Sequence, residues 1–416
     1  MRTTRTRRGP VAGLALLALL AGLLTAVHAP AAQAQAVVTI MDIQGEQHTS
    51  PFEGVNVTTT GVVTAVAFNG YYVQDPTGDG NDNTSDGIFV FQFGNIPNVG
   101  DFVQMTDTVT ESVPGGCGTG NLSTTQMSGP TLVNQGPGFP VPSPVVIGSN
   151  GRVPPNVVTH DEIPAQLQPS FCPGGGALTT FDPADEGIDF YESLEGMLVT
   201  VEDPVAVSAT RTFSAFSSEM FVLANNGADA APADVRTARG GINLAADADG
   251  YGDTNPERVQ IQFDPTISGG AAVPAITVGD RLDDVTGVVG YSFGNYEVNA
   301  TGQVTFATGG LGAETTDLVT PDRNRGGPRT VTVASYNVLN LDPLSGDDAQ
   351  RATLAGHIVN NLGTPDVIGV QEIQDNNGTI DDGTTDATET LQALVDAISA
   401  AGGPSYSFFD VAPADG

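Results

Sequence analysis

The chain has 416 residues, enough for several sizeable cores, and sets 14 basic against 48 acidic side chains for a formal net charge of −34. Every basic residue is Arg, and none lies between Arg8 and Arg152. So acidic a surface excludes a broad basic track along a nucleic-acid backbone; a polyanion must be met by divalent cations or by a few Arg.

Residues 1–36 read as a secretory signal peptide. Arg2, Arg5, Arg7 and Arg8 precede an apolar run from Val11 to Val27, and Ala32-Gln33-Ala34 or Ala34-Gln35-Ala36 offers a small-residue cleavage site. The run is rich in Ala and Gly and barely long enough to span a bilayer, so no transmembrane segment is expected after cleavage. The mature chain is expected to be secreted and keeps 10 Arg against 48 acids, a net charge of −38. Export makes a disulfide between Cys117 and Cys172, the only cysteines, the expected state. Closing that loop is worth about 4 kcal/mol in the chain-entropy description.

Residues 37–148 are β-rich. Val57 to Val66, Gly70 to Gln74 and Gly87 to Phe93 alternate branched or aromatic with small or polar residues, and turn chemistry separates them at Pro76 to Gly80 and Asn95 to Gly100. Short strands at this spacing predict a small Greek-key barrel. The aromatics Phe68, Tyr71, Tyr72, Phe89, Phe91 and Phe93 are expected mainly in its core. A weak repeat of this order over residues 149–308 predicts a second barrel, after a Pro-rich connector at Gly136 to Pro155; Val99-Gly100-Asp101 and Val278-Gly279-Asp280 are the clearest correspondence. Residues 309–328 read as a linker.

Two acidic turns space oxygen ligands for Ca²⁺: Asp75, Asp79, Asp82 and Asp86 in one, Asp247, Asp249 and Asp253 in the other. Neither completes an EF-hand pattern, and Asp, Asn and Gly are also what hairpin turns prefer. His48, His160 and His357 are scattered, without metal-ligand spacing, and are expected at the surface or as caps.

Residues 329–416 change character. Val331 and Val333 alternate with threonines and lead to Asn337, predicting a half-buried strand. Asp347 or Asp348 can cap a helix carrying Leu354, Ile358 and Leu362, stopped by Gly363 and Pro365. Asp366 to Gln371 is a nearly continuous apolar run, as in a strand covered on both faces, ending at Glu372. A further helix is predicted around Leu391, Leu394, Val395 and Ile398, then a strand from Tyr406 to Val411. Asn337 and Glu372 thus stand at the ends of successive strands, where open α/β sheets build sites.

SYNVLNL followed about thirty residues later by DVIGVQEI resembles the opening of the endonuclease/exonuclease/phosphatase, or deoxyribonuclease I-like, superfamily, most closely its secreted bacterial extracellular nucleases. The resemblance implies the N-terminal part of an α/β, four-layer sandwich domain after two OB-like barrels. It implies that Asn337 helps position the scissile phosphate and that Glu372 holds Mg²⁺ or Mn²⁺. The later His, Asp and Asn residues of the family's site have no counterpart before Gly416, so this chain by itself is expected to be inactive. DNA or RNA is the implied substrate, with no stable protein partner. A phosphatase or lipid phosphodiesterase of the same superfamily, or a noncatalytic secreted Ca²⁺-binding or surface-binding protein, are the alternatives. Within the barrels, Arg211, Arg236, Arg239, Arg258 and Arg281 make residues 157–310 the expected binder of single-stranded DNA, ahead of residues 37–148.

Overall fold

The computed structural model describes residues 37–160, 164–176, 180–230, 236–237, 239–243, 255–309 and 331–413. The leader, most of the linker and the turn carrying Asp247, Asp249 and Asp253 lie outside the described residues. Two compact units result, and each is described by itself. No described helix is long and apolar enough to cross a membrane.

The first unit opens with α1 (Ile40–Gln44), whose N-cap Thr39 accepts from the Asp42 amide. Then come β1 (Asn56–Ala67), β2 (Gly70–Gln74), β3 (Gly87–Phe91), β4 (Phe102–Ser112), β5 (Thr124–Ser128) and β6 (Thr131–Asn134). The sheet runs β1-β2-β3-β5-β4 and closes because β1 also pairs with β4. All neighbours are antiparallel except β3 and β5, which are parallel. The result is a closed, OB-like five-stranded barrel around Tyr71, Ile88, Met105 and Met127, plugged by Ile40 and Ile43 of α1.

The second barrel uses β7 (Val145–Ile147), α2 (Pro164–Leu167), α3 (Gly187–Glu192), β8 (Leu198–Val201), β9 (Val205–Ala206), β10 (Arg211–Ser214) and β11 (Ser217–Leu223). It continues through β12 (Arg258–Phe263), β13 (Arg281–Leu282), β14 (Val285–Ser292), β15 (Asn295–Ala300) and β16 (Phe306–Ala307). With β8–β9 as one broken strand and β13–β14 as another, the circuit is the same: β9 pairs β11 and β13, β8 pairs β14, and β12 lies parallel to β15. Strand β7 sits on the first-barrel side of the anticipated boundary at 148, yet it pairs with β8.

The Val-Gly-Asp echo is a shared turn. Asp101 accepts from the Asn98 amide at 2.9 Å and Asp280 from the Thr277 amide at 2.9 Å, while Gly100 and Gly279 adopt φ +85 and +86. In each case the glycine amide and the aspartate carbonyl bond the facing residue of the first strand, Val63 or Ala206. Only glycine adopts that conformation without strain, so the turn fixes where strand 4 joins strand 1.

The barrels are fused. Ala65, Ala67 and Tyr72 of the first share a core with Leu198 and Val288 of the second. Gly87 and Gly196 meet backbone to backbone: a Cβ on Gly87 would lie 2.3 Å from the Gly196 carbonyl carbon. Gln74 accepts from the Leu198 amide at 2.8 Å, and the Cys117–Cys172 disulfide, Cα–Cα 5.4 Å, bonds the β4–β5 connection to the segment before α3.

The second unit holds β17 (Val333–Leu341), α4 (Asp348–Gly356) continued by a π turn over His357–Asn361, β18 (Val367–Ile373) and α5 (Thr388–Ala400). β17 and β18 are parallel, and the helices pack Leu354, Ile358, Leu394 and Ile398 on one side of them. Four expectations change here. Asp347 precedes α4, but its carboxylate accepts from the Asp342 amide instead of capping the helix. β18 is covered on one face only, since Val367 is 51% exposed and Val333 of β17 is 71% exposed. Tyr406–Val411 is unpaired chain, not a strand: it forms no ladder with β17 or β18, and Tyr406 is tied down through its hydroxyl, which donates to the Pro365 carbonyl at 2.6 Å. And in the first unit His48 is buried, as its surroundings below explain.

Candidate functional site

Asn337 and Glu372 come together. The Asn337 Nδ2–H donates to Glu372 Oε1 at 2.6 Å, and Asn337 Oδ1 accepts from the Leu339 amide at 2.8 Å, so the amide's orientation is set by its own strand end. Sequence spacing alone does not produce this contact. Asn337 pairs with Gln371, and a regular strand would turn Glu372 to the opposite face. Instead Glu372 has φ +60, and Leu339 and Asn340 have φ +56 and +52. The register slips between Asn337 and Leu341, and this bulge swings the carboxylate to the amide. Three non-glycine residues in left-handed conformation within one small region store strain of the kind that accumulates at functional sites.

Glu372 also lines a cleft of about 530 Å³ with Asp375, Thr384 and Asp410. Both Asn337 and Glu372 are exposed. A single carboxylate beside an amide suits a hard cation that keeps much of its hydration, as Mg²⁺ does. Among the described residues, no three His, Cys, Asp or Glu side chains are grouped to hold a metal.

The Asp75–Asp86 turn uses its oxygens on itself. Asp75 Oδ1 accepts from Thr77 and the Gly78 amide, and Asp79 accepts from the Asn81 amide and the Thr84 hydroxyl. Asp86 differs: its Oδ1 is buried without a partner, and burial followed by repulsion from Asp79, Asp75 and Asp82 pushes its pKa up to about 6.

The seam between the barrels holds an ionisable cluster that sequence spacing does not signal. His48 Nε2 lies 2.6 Å from Asp189 Oδ1, and its Nδ1 lies 3.3 Å from Glu192 Oε2 without hydrogen-bond alignment. Burial alone would lower the His48 pKa, but Glu192 and Asp189 prevail and raise it to about 9. Nearby Glu111 is raised to about 7, chiefly by burial, and Glu195 well above the usual carboxylate range by burial and by Glu192 and Glu111. His160 and His357 are exposed, and His357 bonds the Tyr336 hydroxyl.

The aromatics divide. Tyr71 and Tyr72 are core, whereas Phe68, Phe91 and Phe93 form an exposed cluster on the first barrel, against the expectation of a buried stripe. On the second barrel, Arg258 lies over the Phe221 ring at 4.1 Å and Arg211 over Phe213 at 4.7 Å.

Residues 146–308 match the family model of a domain of unknown function, DUF8508. That match covers the second barrel. No curated protein matches the chain. A crystal structure of fission yeast Pot1 with ssDNA is similar at 11% identity over 67% of this chain and 89% of that one, with a TM-score of 0.19.

Proposed function

We propose that this chain belongs to a secreted, metal-dependent phosphodiesterase acting on DNA or RNA, with Glu372 as a ligand of Mg²⁺ or Mn²⁺ and Asn337 as the amide that orients the carboxylate and contacts the phosphate. The hydrogen bond between Asn337 and Glu372 at the ends of two parallel strands carries the reading. The bare face of β17 and β18, with Val333 and Val367 exposed, suits a sheet backed by a second layer, as a sandwich domain requires. When bound, the cation would neutralise phosphoryl oxygens and lower the pKa of a water. Asn337 brings no charge of its own, so it can donate to a phosphoryl oxygen without competing for the metal.

The test is a Mn²⁺ titration followed by electron paramagnetic resonance on residues 37–416. One site should weaken at least about tenfold in Glu372→Gln, and less in Asn337→Ala. Identical titrations for wild type and Glu372→Gln would remove the metal centre and with it the hydrolase. The exposed Phe68, Phe91 and Phe93 favour the second reading, a noncatalytic surface-binding protein, which would survive that result.

A further inference from the structure

The seam between the barrels holds a cavity of about 240 Å³ with an acidic lining. Glu195, Asp264 and Glu297 stand on its wall, and no Arg or His lines it. Glu195 is 1% exposed; its Oε1 accepts from the Thr125 amide at 3.0 Å, while its Oε2 is buried without a partner. Glu297 is fixed in place, since the Ser292 hydroxyl donates to its Oε2 at 2.9 Å and the Asn299 Nδ2–H to its Oε1 at 3.3 Å. A buried carboxylate oxygen left unmet costs free energy, and burial raises the pKa of both Glu195 and Glu297, as it does where no counter-ion is at hand. His48, elsewhere in the seam, is already engaged by Asp189 and Glu192.

The rest of the wall is partly aromatic. Tyr72 and Phe89 line it with their ring centroids 5.0 Å apart. Tyr72 is only 8% exposed, yet its hydroxyl makes no hydrogen bond with any described residue. Two features set this hydroxyl among the acids. A Cβ on Gly290 would lie 3.0 Å from Tyr72 Oη and 3.8 Å from Glu297 Oε1, so the three meet at one place. Burial, and then the charges of Glu297, Glu195 and Asp264, raise the Tyr72 pKa above its ordinary value. Gly290 lies inside β14, and a glycine within a strand marks a point of close approach. Asn69, Gln126 and Asp264 are half-buried, so the cavity reaches solvent past them.

We propose that this cavity binds an aliphatic diamine, whose ammonium groups bond the carboxylates and the Tyr72 hydroxyl oxygen while its methylene chain lies against the Tyr72 and Phe89 rings. The arrangement decides the class of cation. Among the described residues no three Asp, Glu, His or Cys side chains are grouped to hold a metal ion, so these carboxylates do not converge on one centre. A quaternary ammonium has no N–H and would leave Glu195 Oε2 and the Tyr72 oxygen unmet. A primary ammonium donates three hydrogen bonds, each charge-assisted at a carboxylate, and is also attracted to an aromatic face. A second ammonium lets one molecule reach carboxylates that stand apart. The inference concerns the barrels alone and stands whether or not Glu372 holds a metal.

The experiment is isothermal titration calorimetry of residues 37–416 with putrescine, in EDTA and at about 0.15 M salt so that diffuse attraction to the acidic surface is screened. Putrescine should bind at a single site, and the diol of the same chain length should not bind. Glu297→Gln keeps the side-chain shape, removes one charge and should weaken binding by about tenfold or more. Tyr72→Phe removes only the unpaired hydroxyl and should weaken binding by about threefold or more without lowering the melting temperature, a combination that a purely structural role would not produce. If Glu297→Gln also lowers the melting temperature, Tyr72→Phe decides. Asp396→Asn, on the exposed side of α5, should bind as wild type does. Absence of binding by wild type, an unchanged affinity in Tyr72→Phe, an equal loss in Asp396→Asn, or full displacement of putrescine by equimolar Mg²⁺ would overturn the proposal.

Discussion

Glu372 illustrates how much one backbone angle can decide. Its φ of +60 carries the carboxylate from the face it would occupy in a regular strand to within 2.6 Å of Asn337. The residue types and their places at strand ends are legible in the sequence, but the bulge that joins them is not, because left-handed conformation at a glutamate follows from no local preference. Asp86 is a second case at this scale. Its pKa is raised from the ordinary carboxylate value to about 6, so the stability linked to it is complete below the unfolded pKa and is lost as pH rises through about 6. Asp86→Asn is therefore expected to raise the melting temperature at pH 7.5 and to leave it unchanged near pH 3.5. If the turn takes Ca²⁺, the cation should stabilise wild type and lose that effect in Asp86→Asn; scanning calorimetry with and without Ca²⁺ separates these outcomes.

Among elements, the connection between β4 and β5 has the clearest mechanical role. Cys117 is bonded to Cys172, the Asn121 carbonyl accepts from Gln168, and the Leu122 amide donates to Tyr291 at 3.1 Å, so a loop of the first barrel is held to the second at three points. Asn121 and Leu122 also line the cleft beside β12. Removing the disulfide by Cys117→Ser with Cys172→Ser is expected to cost roughly 2–4 kcal/mol in denaturant unfolding.

For the whole of the first unit, the fused seam makes stability a function of pH. Glu111, at about 7, and Glu195 have raised pKa values, so the stability linked to them is present below the usual carboxylate range and is lost as pH rises toward and past 7. His48 is raised from 6.5 to about 9; the stability linked to it is full below pH 6.5 and disappears as pH climbs through 9. The melting temperature should therefore decline from pH 5 to pH 9. His48→Gln should flatten the limb between pH 7 and 9, and Glu111→Gln the limb between pH 5 and 7. A wild-type profile that stays level across that range would show that the seam does not titrate with folding. The same seam binds residues 37–148 and 157–310 to each other: either one alone would expose its part of the shared core of Ala65, Tyr72, Leu198 and Val288.

Strand alternation, the paired Val-Gly-Asp turns, the two cysteines and the order of strand, helix and strand around Asn337 and Glu372 could all be read from the chain alone. Each is a local matter of side-chain period, glycine conformation or the number of available thiols. Contacts between residues far apart in sequence needed the folded molecule. His48 and Asp189 are 141 positions apart and meet only because two barrels fuse, and Arg258 and Gln260 acquire an open cleft only because a loop from Asn121 stands across from them. Burial and charge at such places depend on the summed geometry of both barrels, to which no stretch of sequence refers.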